Sequence, residues 1–201
     1  ITNLITKFYE VDTGNILIDG KDINHYTLET VRSKIGVILQ DVFLFADTIF
    51  NNITLYNKDI TMENVENAAK ELEIHDFINS LPGGYSFNVS ERGDTLSAGQ
   101  KQLIAFLRVL VNNPDILILD EATSSIDSYS EELIKNATKK ITKDKTSIII
   151  AHRLSTIESA DKIIYMENGK ILESGNHKQL LSISNGKFKK LYEEQFVEEL
   201  V

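Results

Sequence analysis

The feature of this sequence that most limits its fold is an apolar run, Ile116–Leu119, that ends abruptly in two carboxylates, Asp120 and Glu121. A continuous apolar run of strand length is typical of a strand covered on both faces, as in a parallel sheet between helices. Open α/β sheets bind ligands outside the carboxyl ends of their strands. The run therefore predicts an α/β fold with acidic side chains at the edge where ligands bind.

The rest of the chain supports this prediction, because strand and helix patterns alternate along it. Apolar strand patterns and amphipathic helix patterns both recur, and the longest helix pattern directly precedes the acidic strand. The predicted strands are Ile35–Leu39, Ile116–Leu119, Ser147–Ile150 and Lys162–Met166, and the clearest helices are Thr27–Ser33, Met62–Leu72, Asp76–Leu81, Ala98–Val111 and Ser130–Ile141. The spacing of Ile1, Leu4, Ile5 and Phe8 also matches one helix face.

Between residues 41 and 114 helical patterns dominate, and this block interrupts the alternation. We therefore expect one α/β domain in which residues 1–40 and 115–175 form the sheet core and residues 41–114 form a helical insertion. Two amphipathic helices, in 176–201, close the chain. An Asn168-Gly169 turn predicts a hairpin between Lys162–Met166 and Ile171–Glu173.

Composition excludes several classes of site and partner. The 201 residues include no cysteine, so disulfides and thiolate metal sites are ruled out. The net charge of −9 gives no general attraction for nucleic acid or anionic lipid. No apolar run approaches the roughly 18 residues that a membrane-spanning helix requires.

Four short patterns carry candidate chemistry. One carboxylate of Asp120-Glu121 suits Mg²⁺, and the other can polarise an attacking water, although both carboxylates can equally form surface salt bridges. Gln40 follows an apolar strand and can ligate a metal, or simply be a surface glutamine. His152 follows another apolar strand, where a histidine usually has only a structural role.

The fourth pattern is the segment Leu96–Gln100, which opens the helix Ala98–Val111. Ser97 and Gly99 at a helix N-terminus expose backbone N–H groups and the positive end of the helix dipole, which together favour phosphate. The simpler interpretation is an ordinary serine N-cap, which is commoner for a lone Ser-x-Gly.

Taken in order, these patterns resemble the motifs of the ABC ATPase superfamily. Gln40 is similar to its Q-loop, Leu96–Gln100 to its signature motif, Asp120-Glu121 to its Walker B strand with the catalytic glutamate, Ser124–Asp127 to its D-loop, and His152 to its H-loop. Several motifs in a fixed order are far more specific than any one of them. Segments 47–53, 90–93, 151–156 and 175–181 look like the exporter branch, and His177 in the last of these is expected to be structural.

The resemblance implies a P-loop NTPase (RecA-like) parallel sheet flanked by helices, with an inserted α-helical signature subdomain. It also implies ATP and Mg²⁺ as cofactors, with Gln40 and Asp120 holding the metal, Glu121 as general base and His152 contacting the γ-phosphate. The segment of Ser97, Ala98, Gly99 and Gln100 would close on nucleotide bound by a second such domain, and Asp127 would bridge the two.

The implied partners are ABC transmembrane domains, fused or separate, and a second nucleotide-binding domain, identical or different. No nucleic acid is expected as a partner. The implied location is the cytoplasmic face of the cell membrane, and the implied function is ATP hydrolysis that powers export. Neither the cargo nor the choice between homodimer and heterodimer can be predicted.

The sequence departs from the family pattern in two places. Ala98 stands where the signature commonly has its first glycine, and the extra methyl group is expected to be tolerated. The phosphate loop, G-x-x-x-x-G-K-[ST], is not in these 201 residues. We therefore expect the chain to begin just after that loop, without the first strands of the domain, to leave part of its sheet uncovered, and to have little ATP affinity or activity by itself.

Two alternatives to an active export ATPase remain. One is a non-hydrolysing partner domain with a degenerate site, although Glu121, His152 and Leu96–Gln100 show no decay. The other is an ABC-type ATPase that acts on DNA, which the acidic balance and the lack of a coiled-coil insertion in 41–114 disfavour.

Overall fold

The computed structural model describes residues 1–90, 95–120, 128–151 and 154–198. They fall into two compact units, Ile1–Ile149 and Ile150–Val201. Among the helices described, none is both long enough and apolar enough to cross a membrane. The candidate site residues that the structure describes belong to the first unit.

The chain begins with a short helix, α1 (Thr2–Ile5). The predicted helix face through Phe8 is wrong in its length, because Lys7 adopts a left-handed backbone conformation with φ 53° and ends the helical path. Phe8 lies beyond the helix and is 65% exposed. The guanidinium of Arg32 lies 4.4 Å from the centre of its ring.

A two-stranded hairpin of β1 (Leu17–Ile18) and β2 (Lys21–Asp22) follows. Asp19 and Gly20 make its turn, and both have the positive φ that a tight hairpin of this kind requires. Helix α2 (Leu28–Ser33) begins one residue later than predicted, because Thr27 is its N-cap: the Thr27 hydroxyl accepts the backbone N–H of Thr30 at 3.1 Å.

The central sheet has the order β3 (Ile35–Ile38), β4 (Ile116–Asp120), β5 (Thr146–Ile150). Strands β3 and β4 run parallel, with Ile38 opposite Leu119. Leu117, Ile118 and Leu119 are buried, which confirms the prediction of a fully covered strand for β4. The predicted parallel α/β sheet is therefore confirmed.

One face of β3 is only partly covered. Val31 of α2 packs on Ile35 and Ile118, but Val37 and Leu39, further along the same face of β3, are 37% and 56% exposed. The continuous apolar run Ile35–Leu39 favours a strand covered on both faces, and this expectation is wrong for Val37 and for Leu39, the residue just after β3.

Helices dominate residues 41–114. They are α3 (Ile49–Thr54), α4 (Met62–Glu71), α5 (His75–Ser80) and α6 (Ala98–Asn112), and α7 (Ser128–Thr142) follows β4. Buried side chains of all five helices form one apolar cluster with the sheet, and its members include Ile38, Ile53, Val65, Ile78, Leu103, Leu107, Leu117, Leu119, Ile134 and Ala137. The helical block and the sheet therefore share a continuous core.

The second unit contains α8 (Leu154–Glu158), β6 (Ile163–Glu167), β7 (Lys170–Gly175), α9 (His177–Leu181) and α10 (Lys187–Glu198). The predicted hairpin is confirmed, since β6 and β7 pair antiparallel around Asn168 and Gly169. His177 packs against the rings of Phe188 and Tyr192, with centroids 6.0 and 5.0 Å away. These contacts fit the structural role expected for His177.

A buried tyrosine joins the start of α5 to the turn that follows it. The Tyr85 hydroxyl lies 2.9 Å from Nδ1 of His75, and Asn79 contacts Nε2 of the same ring at 2.9 Å. Burial raises the pKa of Tyr85 to about 12, and the negative charge of Glu66 adds to the shift. The neutral phenol is therefore the form that the folded state stabilises.

This raised pKa predicts a loss of stability at alkaline pH. The Tyr85 contribution is fully present below the unfolded pKa of 10.0 and is lost as the pH rises towards about 12, because the unfolded chain releases the proton first. We expect the stability difference between the parent and Tyr85→Phe to shrink across this range, as measured by thermal unfolding at several pH values. Tyr9→Phe, at a 68% exposed site, is the control. A Tyr85→Phe difference that does not change with pH would contradict the assignment.

Candidate functional site

Two of the predicted site residues lie together at the carboxyl edge of the central sheet. Asp120 is the last residue of β4, one position beyond Leu119, and Gln40 lies two positions beyond Ile38 of β3. Because Ile38 and Leu119 are paired in parallel strands, both polar side chains follow the same end of neighbouring strands. Asp120 is half-buried and Gln40 is exposed. The edge is therefore open to a ligand on the side of Gln40.

A small cavity lies against Asp120. Its volume is about 20 Å³, enough for one water molecule. The lining is largely apolar, with Gln102 and Thr138 as further polar members; the full set is Ile38, Gln102, Phe106, Leu119, Asp120, Ile134, Thr138 and Ile149. Gln102 is only 6% exposed. A water in this cavity would have Asp120, Gln102 and Thr138 as its polar neighbours.

The donor atoms at this edge suit a magnesium ion better than a metal enclosed by protein. Within residues 1–90, 95–120, 128–151 and 154–198, no group of three His, Cys, Asp or Glu side chains comes together. Asp120 and Gln40 offer a carboxylate and an amide oxygen. Magnesium keeps several waters and is commonly held by one or two protein oxygens together with substrate phosphates. The residues present fit that pattern.

The second group of predicted residues forms the N-terminus of α6. Ser97 is the N-cap: its hydroxyl accepts the Gln100 backbone N–H at 3.2 Å, and its own N–H donates to Oε1 of Gln100 at 3.0 Å. This reciprocal capping box confirms the N-cap interpretation. The Ser97 side chain still has its own proton to donate, and the helix that it caps is 15 residues long. An anion site remains compatible with this geometry.

Ala98, which replaces the usual signature glycine, is exposed, whereas Gly99 is buried. The Ala98 methyl group therefore adds no bulk to the core. Tolerance of this methyl group at the predicted phosphate site stays a prediction from the sequence.

Three of the predicted site residues, Glu121, Asp127 and His152, lie outside the described residues. Their roles stay predictions from the sequence. Asp120 and Ala151, which directly precede Glu121 and His152, are the described residues nearest to them.

An exposed aromatic surface follows Gln40. Residues 41–48, which we call the aromatic loop, carry Phe43 and Phe45, which are 56% and 49% exposed. Their rings meet edge to face with centroids 5.1 Å apart. Leu55 and Tyr56, at the end of α3, are also exposed. Exposed aromatic side chains gathered in this way are typical of an interaction surface.

Two residues that sequence analysis did not identify hold this loop in place, Asn52 and Arg108. Asn52 is fully buried, and Arg108 extends from α6 to the end of α3. Burial lowers the pKa of Arg108, although a guanidinium remains charged. In the sequence, Arg108 stands among apolar residues of the most apolar predicted helix. Because a buried arginine is almost always paired, this position was a signal that could have identified Arg108.

These features define a class of protein: an α/β domain with metal-type ligands at the carboxyl edge of a parallel sheet and a capped helix suited to an anion. The family model described as ABC transporter matches residues 1–124. The chain therefore belongs to the ABC transporter family, and its fold is that of the family's ATPase domain, a parallel sheet flanked by helices as in P-loop NTPases.

Named relatives point to the exporter branch. The chain is 50% identical over 181 residues to YgaD of Bacillus subtilis (strain 168), named for multidrug export as an ATP-binding/permease protein; the match covers 90% of this chain and 31% of YgaD. It is 48% identical over 192 residues to a protein of the same description from Staphylococcus aureus (strain NCTC 8325), covering 96% of this chain and 33% of the relative. The chain thus spans about a third of the length of these relatives.

A solved structure gives the same result. The structure of a bacterial Atm1-family ABC exporter with ATP bound matches with a TM-score of 0.84 and 40% sequence identity. The match covers 100% of this chain and 34% of that one. The predicted family, exporter resemblance and fold class are therefore confirmed.

Proposed function

We propose that this chain is the ATP-binding and ATP-hydrolysing domain that powers an ABC exporter. The observation that carries the proposal is the register of β3 and β4, which brings Asp120 and Gln40 to one open edge of the sheet. Carboxylate and amide oxygens at that edge are what a Mg²⁺–nucleotide site needs. The exporter relatives support the same function.

In this proposal Asp120 and Gln40 hold Mg²⁺, which supplies positive charge to the nucleotide phosphates when bound. Glu121, the residue after Asp120, orients and deprotonates the attacking water. His152 contacts the γ-phosphate. Phosphoryl transfer depends mainly on positioning and charge stabilisation, so residues from several loops can share the task.

We further propose that two such domains pair head to tail. The capping box leaves Ser97 and Ala98 exposed at the N-terminus of α6, where the first helix N–H groups, which have no intrahelical partner, can meet phosphate held by the partner domain. Asp127 bridges the two domains in this arrangement. A homodimer and a heterodimer would use the same surfaces.

The second proposed partner is a set of ABC transmembrane domains, fused or separate. In this arrangement the domain lies at the cytoplasmic face of the membrane. The aromatic loop, which follows Gln40 in the chain, supports this assignment, because Phe43 and Phe45 form an exposed pair of rings and Leu55 and Tyr56 at the end of α3 are exposed as well. The relatives' description as ATP-binding/permease proteins adds to it. The net charge of −9 favours no nucleic-acid partner.

A substitution of Ser97 separates its helix-capping role from the proposed contact with phosphate. Aspartate caps helices about as well as serine does, but its negative charge repels phosphate. We expect Ser97→Asp, in the polypeptide that carries this domain, to keep the thermal stability of the parent and to lose at least about tenfold in ATPase rate, since roughly 1.4 kcal/mol is enough for that change. The measurements are thermal unfolding and phosphate release in magnesium buffer.

The matched control is Thr61→Asp, because Thr61 forms the same kind of capping box with Asn64 at the start of α4. This control should leave both stability and hydrolysis near the parent values. Parent-like ATP hydrolysis by Ser97→Asp would contradict the proposed phosphate contact and leave Ser97 with the cap alone.

A further inference from the structure

We propose that Arg108 is a positioning residue that couples the nucleotide-facing end of α6 to the aromatic loop. This inference rests on the proposed function, since it assigns a path between the proposed nucleotide and membrane-domain surfaces. It concerns α3, α6 and the aromatic loop, all of which lie in the first unit.

Arg108 connects α6 to the aromatic loop and to α3, the helix that follows this loop. Its Nε donates to the Asn52 carbonyl at 2.8 Å, and its Nη2 donates to the Phe43 carbonyl at 3.4 Å. Asn52 lies in the last turn of α3, where carbonyl groups lack intrahelical partners and the helix dipole attracts positive charge. One guanidinium therefore caps α3 and holds the start of the aromatic loop.

Asn52 extends this connection through the loop itself. Its side-chain oxygen accepts the Phe45 backbone N–H at 2.8 Å, and its amide donates to the carbonyls of Phe45 and Thr48, both at 3.0 Å. Asn52 is fully buried, so these bonds are shielded from competing water. The conformation that presents Phe43 and Phe45 is thus fixed by Asn52, and Asn52 is in turn bound by Arg108.

Helix α6 provides the mechanical link to the proposed nucleotide site. It is continuous over Ala98–Asn112, with Ser97 as N-cap. Arg108 follows Ser97 by about three turns, or roughly 16 Å at 1.5 Å per residue. The residues between them are largely buried in the apolar cluster, so a displacement of the Ser97 end moves Arg108 with it.

A second connection runs beside this one and gives the main competing path. The Val89 N–H donates to the Asp47 carbonyl at 2.9 Å, and the Ile49 N–H donates to the Phe87 carbonyl at 3.0 Å. This bridge joins the end of the aromatic loop to the segment before α6 and does not involve Arg108. A substitution of Arg108 therefore distinguishes the two paths.

The test is hydrogen exchange, followed by mass spectrometry, on the complete polypeptide that carries this domain, with and without Mg-ATPγS. In the parent we expect nucleotide to slow exchange at residues 97–101 and to change exchange at 43–48. In Arg108→Gln the response at 97–101 should persist while the response at 43–48 is lost. Arg108→Lys keeps the charge but has a single donor nitrogen, so it should restore part of the response at 43–48.

Arg32→Gln is the matched control. Arg32 also binds two backbone carbonyls, those of Thr6 and Lys7 at 3.2 and 3.4 Å, but it lies in α2. The Arg32→Gln variant should keep the nucleotide responses at 97–101 and at 43–48. This result would exclude a general effect of losing an arginine that binds two carbonyls. A response at 43–48 that survives in Arg108→Gln would overturn the proposal in favour of the Asp47–Val89 bridge. If nucleotide does not change exchange at 97–101 in the parent, the result contradicts the proposed function, and with it the proposed coupling.

Discussion

Glu121→Gln is expected to reduce ATP hydrolysis by the polypeptide that carries this domain by about 10²–10⁴-fold, the usual contribution of a positioned general base. Glutamine keeps the size and hydrogen-bonding capacity of the side chain but cannot take a proton. Nucleotide binding should therefore be retained while phosphate release is nearly lost. Phosphate release and equilibrium binding of Mg-ATP measure the two effects separately.

Glu132→Gln is the control for this prediction, because Glu132 is an exposed carboxylate on α7 of the first unit. It should leave the rate unchanged. Continued hydrolysis by Glu121→Gln would remove Glu121 from the proposed role. A parent protein that binds but does not hydrolyse ATP would instead favour a non-hydrolysing partner domain.

The second large effect is expected at Gly36 in β3. A Cβ atom there would lie 2.6 Å from Cγ of Pro114, 3.0 Å from Cγ1 of Val109 and 3.2 Å from Cδ2 of Leu117. The Pro114 ring cannot move away as a flexible side chain could. We expect Gly36→Ala to destabilise the fold by about 1–3 kcal/mol and Gly36→Val by more, as overpacking does in other cores. Chemical denaturation measures both.

A double substitution tests the cause of this loss. Pro114→Ala removes the closest contacting atom, so Gly36→Ala combined with Pro114→Ala should recover part of the stability lost in Gly36→Ala alone. Val37→Ile, at the exposed neighbouring position, is the control and should change little. Strictly additive effects of the two substitutions would show that the contact with Pro114 is not the cause.

The sequence predicted those elements whose signals are local. Thr27 and Ser97 are capping residues, and α2 and α6 begin directly after them. The unbroken apolar run of β4 and the Asn168-Gly169 turn were equally informative, because burial on two faces and a positive φ each impose a narrow choice of residues. Such features do not depend on what lies far away in the chain.

Other features depend on distant parts of the chain and were beyond prediction. Helix α1 ends early through a left-handed conformation at Lys7, a residue type that carries no turn signal. The uncovered face at Val37 and Leu39 depends on what packs against β3, not on the apolar run itself. Burial differences within one apolar run are set by tertiary packing.

In the candidate site, too, local patterns were predictable from the sequence and long-range contacts were not. Sequence alone predicted that Gln40 and Asp120 each follow a strand, but their proximity required β3 and β4 to be neighbours, which the structure shows. Motif order identified Ser97–Gln100, whereas Arg108 was missed because its bonds join it to Asn52 and Phe43, which lie 56 and 65 positions away. Hydrogen bonds of that kind leave no periodic pattern in a sequence.

The neighbouring strands β3 and β4 are separated in sequence by residues 39–115, which include the entire helical block. Closing so long a loop costs entropy before any sheet contact compensates for it. Helices within the block, by contrast, can form from nearby residues. The two strands are therefore expected to pair late in folding, after α3–α6 have begun to assemble, so the edge that carries Gln40 and Asp120 is among the last parts of this unit to be completed.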